Sequence, residues 1–170
     1  MPTAPADNRP AAHAYDSEMA YTIRRATSAD RHVIGYHRCQ MFKEIGAETD
    51  YASLEREFER WLSKAMAADL YHGWIVEAVG GEIAAGGGLT VVPWPPAPSD
   101  LGDRVAFIYN MYTEPQHRRR GLARRLMLAM HEWCTAQGIR TVRLHASTEG
   151  RPLYESLGYA GTNEMMMRLP

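Results

Sequence analysis

Hydrophobic positions change their period several times along the chain, and each change marks a predicted element. Tyr21 to Ala26 alternates as a first strand. Thr27-Ser28-Ala29-Asp30 supplies capping side chains, after which Val33, Ile34, Tyr36, His37, Met41 and Phe42 run at helical spacing until Gly46. A second helix is predicted over Tyr51 to Ala68, with Leu54, Phe58, Trp61, Leu62 and Met66 as its apolar stripe. Trp74 to Val79, then Gly80-Gly81, then Glu82 to Val92 predicts a hairpin, because a diglycine suits the primed turns that match strand twist. Gly86-Gly87-Gly88 inside the second of these strands predicts a bulge or a close backbone approach. Val105 to Tyr112 reads as a further strand, stopped by Glu114-Pro115. From Gly121 the period returns to that of a helix, with Leu122, Leu126, Met130 and Trp133 on one face and Gly138 as its stop. Thr141 to His145 predicts a strand, Ser147 to Ser156 a short helix with Pro152 in its first turn, and Glu164 to Leu169 a closing strand. The order β-α-α-β-β-β-α-β-α-β predicts an α/β (α+β) sandwich around one mixed sheet. Residues 1–18, rich in Ala and Pro and without periodicity, are expected to be a disordered tail, leaving 19–170 as one domain.

Composition narrows the function classes. Hydrophobic residues at 45% and charged residues at 23% describe an ordinary globule. The net charge of −1 argues against nucleic acid as a partner, so any basic cluster has to be read locally. No apolar run is long enough to span a membrane, and the N-terminus has no apolar leader segment. Cys39 and Cys134 fall among apolar neighbours at helical spacing, which predicts buried free thiols and a reducing, cytoplasmic setting. The seven histidines are scattered and no CxxC occurs, so no metal site is expected.

The local basic cluster is Arg118-Arg119-Arg120, in the loop between the Val105–Tyr112 strand and the helix that starts at Gly121. Cations at a helix N-terminus oppose the macrodipole unless an anion sits there, and phosphate is the natural candidate. Gly121 can take positive φ and lets a ligand approach the backbone, and Ala123 is small where a side chain would intrude. No GK[ST] follows, so this is not a nucleoside-triphosphate loop.

Arg118-Arg119-Arg120-Gly121-Leu122-Ala123 matches the pattern Q/R-x-x-G-x-G/A, and Pro152 to Tyr159 matches LYExLGF/Y about thirty residues on. Together, on this order of elements, the two motifs resemble the GNAT superfamily of acyl-CoA-dependent N-acetyltransferases, over roughly Tyr21 to Leu169. The resemblance implies a central mixed, mostly antiparallel sheet with helices on both faces. It implies acetyl-CoA as cosubstrate, its pyrophosphate on the amides of Arg119, Arg120, Gly121, Leu122 and Ala123. Charge would come from Arg118, Arg120 and Arg124. The pantetheine arm would lie between two splayed strands, bonded to main chain at Met111, Tyr112 and Thr113. Tyr154 would protonate the departing thiolate, and a main-chain N–H near Met111 would receive the oxyanion. Two positions depart from the family pattern. Phe107 stands where histone-type members carry a Glu base, and Ser147 where many relatives carry an Asn that helps hold the cofactor. The base is therefore sought among Glu44, His145 and a water chain through Tyr109 or Asn110, with strand alternation favouring Tyr109 as the group facing the substrate. The acceptor is expected to be an amine of a small molecule or a protein, and family habit implies a homodimer. A catalytically silent acyl-CoA-binding module is the competing reading.

Overall fold

The first strand, β1 (Tyr21–Arg25), runs into a reciprocal cap. The Thr27 side chain accepts from Ala29 N, and the Asp30 carboxylate accepts from Thr27 N at 2.7 Å, closing one 3-10 turn before α1 (Arg31–Glu44). Asp50 caps α2 (Tyr51–Ala67) by accepting from Ala52 N and Ser53 N. The diglycine at 80 and 81 has positive φ at both residues and joins β2 (Tyr71–Ala78) to β3 (Ile83–Pro93). Then follow β4 (Arg104–Thr113), α3 (Leu122–Ala136), the three-residue β5 (Val142–Leu144) and α4 (Arg151–Ser156). This computed structural model describes residues 20–168, so the tail expected over 1–18 lies outside the described residues.

The five strands lie in sequence order, antiparallel except for the parallel pair β4–β5. Helix α3 covers one face. Leu122, Leu126, Met127, Met130 and Cys134 pack there against Trp74, Val76, Leu89, Ala106 and Ile108. Helices α1 and α2 cover the other, where Ile34, Phe58, Leu62 and Ala65 meet Tyr71 and Ile75. Each fully buried aliphatic side chain contributes about 1.5–3 kcal/mol by leaving water, so both layers hold the sheet.

The glycine run answers to close approach as well as to a bulge. A side chain at Gly87 would strike the Met111 sulfur, one at Gly88 the Tyr71 hydroxyl, and one at Gly86 would crowd His37 Nδ1 at 3.0 Å. The β3–β4 register shifts between Gly86 and Gly88, and opposite the shift Asn110 takes φ 58°.

The sequence pattern is corrected at the C-terminal end. No strand forms over residues 164–168, and Met165, Met166 and Met167 are exposed. Three consecutive methionines have no inward–outward alternation to set a register, so the apolar run does not make a sheet edge. Leu169, the expected last residue of that strand, lies outside the described residues.

Candidate functional site

Strands β4 and β5 pair only through Ala106–Ile108 and Val142–Leu144. Beyond Ile108, β4 continues to Thr113 with no strand on its β5 side among the described residues, so the two strands part toward the start of α3. There Arg119 (φ 62°) and Gly121 (φ 74°) both adopt left-handed backbone, and Gly121 stands at the N-cap with no capping side chain. The first backbone bond of the helix runs from Arg125 N to Gly121 O at 3.1 Å. Among the described residues no acceptor meets the N–H groups of Arg119 through Arg124. Nothing lies within 4 Å of a Cβ built on Gly121, so the loop is open on that side. A concave run of free amides at a helix N-terminus, with no acid in the first turn, is chemically an anion receptor. Gly121, Leu122 and Ala123 are among the residues whose N–H groups stay unbonded there.

The arginines divide. Arg119 and Arg120 are exposed and make no ion pair among the described residues, so their charge is available to an anion. Arg118 is engaged within the protein: its guanidinium pairs with Glu44, its Nε donates to Thr113 O at 2.9 Å, and it lies over the Tyr112 ring at 5.6 Å. A phosphate would share it with that exposed carboxylate. Arg124 Nη1 donates to Ser156 Oγ at 2.9 Å and so ties α3 to α4. Ser147 Oγ accepts from Gly150 N at 3.1 Å, fixing the turn into α4. On that helix Tyr154 is half-buried and edge-on to Tyr159, with ring centroids 6.0 Å apart. Burial pushes its phenol above the ordinary range, so it carries its proton at neutral pH.

The bulge redistributes the β4 side chains. Met111 packs in the α3 layer, whereas Tyr109 and Asn110 both turn toward α1 and α2, against the simple alternation that set Tyr109 and Met111 on one face. Asn110 is 2% exposed and accepts from Arg38 Nη1 at 2.6 Å. Of the groups expected to serve as base, Glu44 is held by Arg118 and by the Tyr112 hydroxyl at 3.3 Å. Desolvation pushes the Tyr109 phenol well above its ordinary range, so it keeps its proton at neutral pH. His145 is exposed, edge-on to Phe107 at 5.0 Å.

Sequence reasoning missed four groups here. Arg38 and Tyr71 flank Asn110, and His37 Nε2 lies 3.1 Å from Glu114 Oε1. Burial drives His37 down to about 4 and raises Glu114. Arg38 was detectable in principle. Ile34, Arg38 and Phe42 form one i, i+4 row on the apolar side of α1, and a cation in such a row needs a reason.

Among known proteins, the acetyltransferase (GNAT) family model matches residues 39–159. A GCN5-related N-acetyltransferase from Ralstonia eutropha is 36% identical over 88% of this chain and 98% of its own, with a TM-score of 0.83. A predicted acetyltransferase from Clostridium acetobutylicum, solved with acetyl-CoA, is 26% identical over 88% of this chain and 96% of its own, with a TM-score of 0.80. Glucosamine-6-phosphate N-acetyltransferase from Arabidopsis thaliana shares the fold alone, at 19% identity over 88% of this chain and 97% of its own with a TM-score of 0.64. A comparison with curated proteins returned no match. Family model, identity and the open loop at the head of α3 agree, and this chain belongs to the GNAT acetyltransferase family.

Proposed function

We propose that this protein transfers the acetyl group of acetyl-CoA to a primary amine, on a small molecule or a protein, by direct attack within a ternary complex. The observation that carries the reading is the row of free amides from Arg119 to Arg124 at the mouth of the β4–β5 gap. Acetyl-CoA would supply the activated thioester. Arg119, Arg120 and the loop amides would bind its phosphates, and the free edge of β4 from Met111 to Thr113 would take the pantetheine amides. Family likeness assigns a main-chain N–H near Met111 to the oxyanion. Tyr154, protonated at neutral pH, would donate to the departing sulfur.

Phe107 occupies the acidic position of related enzymes and Glu44 is tied to Arg118, which leaves the exposed His145 or solvent to take the amine's proton. In either case the amine attacks neutral, so kcat/KM should rise with pH toward the amine's own pKa. Release of CoA thiol from acetyl-CoA, followed over a panel of primary amines, tests the reading. Amine-dependent release supports it. Tight acetyl-CoA binding with no release by any amine would instead make the protein a silent acyl-CoA-binding module.

A further inference from the structure

On the α1–α2 side of the β4 bulge, four polar side chains converge, each with one buried polar atom left over. Arg38 Nη1 donates to Asn110 Oδ1 at 2.6 Å, and this uses the acceptor end of the amide. Arg38 Nε, Asn110 Nδ2 and the hydroxyls of Tyr71 and Tyr109 are left buried with no hydrogen bond among the described residues. Asn110 is 2% exposed and Tyr71 is 4% exposed, whereas Arg38 and Tyr109 are half-buried and give the cluster its side toward solvent. The Asn110 amide faces the Tyr71 hydroxyl and Thr90 faces the Tyr109 hydroxyl, neither with a well-directed bond, and the two tyrosine rings lie 5.8 Å apart. The guanidinium itself sits over Phe58 at 4.6 Å and Phe42 at 5.0 Å. No carboxylate among the described residues lies within ion-pair distance of it. Trp61, 42% exposed, stacks on Phe58 and stands 6.2 Å from both tyrosine rings, which makes it the ring between this cluster and solvent.

A half-buried cation without a counter-ion and a set of unmet donors are costly to leave as they are. All four free groups can donate, and what the cluster lacks is a charged acceptor. A cationic ligand would meet Arg38 head-on. A neutral amide would satisfy one or two donors and leave the guanidinium uncompensated. A carboxylate offers two oxygens to the fork of an arginine and one negative charge to one positive charge. Asn110 directly precedes Met111, so an anion held here lies one residue from the point where the acetyl group is expected. We infer that Arg38, Asn110, Tyr71 and Tyr109 form a carboxylate subsite, and that the acceptor is a small amine bearing a carboxylate, an amino-acid-like molecule. The inference rests on the acetyl-transfer reading and adds the substrate class to it.

The test compares glycine, β-alanine and 4-aminobutyrate with their amides, by acetyl-CoA-dependent thiol release and by the shift each causes in Tm. At least one acid should be acetylated with kcat/KM roughly 100-fold above its amide, because a site built for a polar group rejects the analogue lacking it. In Arg38→Met the preference should shrink to within about tenfold, and the acid should no longer raise Tm. Should Arg38→Met fail to fold, Tyr109→Phe removes only a hydroxyl and should raise KM for the acid with little change in kcat. Amides acetylated as well as acids would overturn the subsite and leave the transferase standing. A Tm rise with acids that Arg38→Met abolishes, without acetylation of any probe or of any amine in the wider panel, would keep the subsite and refute the transferase. Neither acetylation nor a Tm shift with any acid refutes the inference.

Discussion

The two faces of the sheet are built from the same strands and finished differently. On the α3 face Leu122, Leu126, Met127 and Met130 are buried to 2% or less, and the polar groups among them are few: the Cys134 thiol, the Trp74 indole and the Tyr21 hydroxyl, which lies 2.9 Å from His117 Nδ1. On the α1–α2 face His37, Arg38, Tyr71, Tyr109 and Asn110 lie in or against the core, and four of them leave a buried atom without a partner. Dispersion and water exclusion are best served by the first arrangement. The second gives up part of that stabilisation and keeps directed polar groups beside the β4 bulge. A sheet of this kind can therefore take its rigidity mainly from one face and its chemistry from the other, with the strand ends and the α3 loop between them.

Tyr154 is the sharpest place to break this division, because it packs against the α3-side core while being assigned a chemical role. Tyr154→Phe keeps the ring, so Tm should barely move, yet the single-turnover rate with an accepted amine should fall about 10²–10⁴-fold. An unchanged single-turnover rate would return Tyr154 to the core. On the apolar face itself, Leu126→Ala should cost about 2–5 kcal/mol in urea or thermal unfolding, with the KM values of the surviving enzyme little altered.

The polar face should respond to acid. Burial holds His37 neutral, at about 4 against an ordinary 6.5. Between those values the unfolded chain binds the proton that the folded chain refuses, so stability should fall as pH drops from 6.5 to 4, by up to about 3 kcal/mol. Glu114, raised by burial, opposes this in the lower part of the window, since its proton is held more tightly in the folded chain. Urea midpoints across that range should show a shallower acid limb in His37→Gln. The smallest effect is expected at Tyr71. Its hydroxyl is buried and unpartnered, so Tyr71→Phe should leave Tm unchanged or raise stability by up to about 1 kcal/mol, whereas a loss above that size would mean the hydroxyl has a partner.

Periodicity made most of the fold legible. The helix stripes, the diglycine turn, the positive φ of Gly121 and the parting of β4 from β5 all follow from local pattern or from the family resemblance. Three things were not legible, for separate reasons. Alternation assigns side chains to faces only while the ladder is regular, and left-handed Asn110 breaks it within one residue. The Arg118–Glu44 pair joins residues 74 apart in sequence, so no local pattern could reveal that one of the three loop arginines lies against a carboxylate. The partners of Arg38 lie on β2 and β4, far from α1 in sequence, so only its interruption of the Ile34–Phe42 row hinted at burial. The expected last strand shows the opposite error, in which local composition suggested a strand that no alternating pattern supports.

The central claim is that the amides and exposed arginines at the start of α3 anchor the cofactor through its phosphates. It is tested most directly by measuring Tm with acetyl-CoA and, in parallel, with acetyl-pantetheine, which keeps the thioester and arm but lacks the nucleotide and its phosphates. Acetyl-CoA at about a hundred times its Kd should add about 2.7 kcal/mol to stability, and acetyl-pantetheine at the same concentration should add little. Equal stabilisation by the two ligands would contradict the account, because the loop from Arg119 to Arg124 would then contribute nothing to binding.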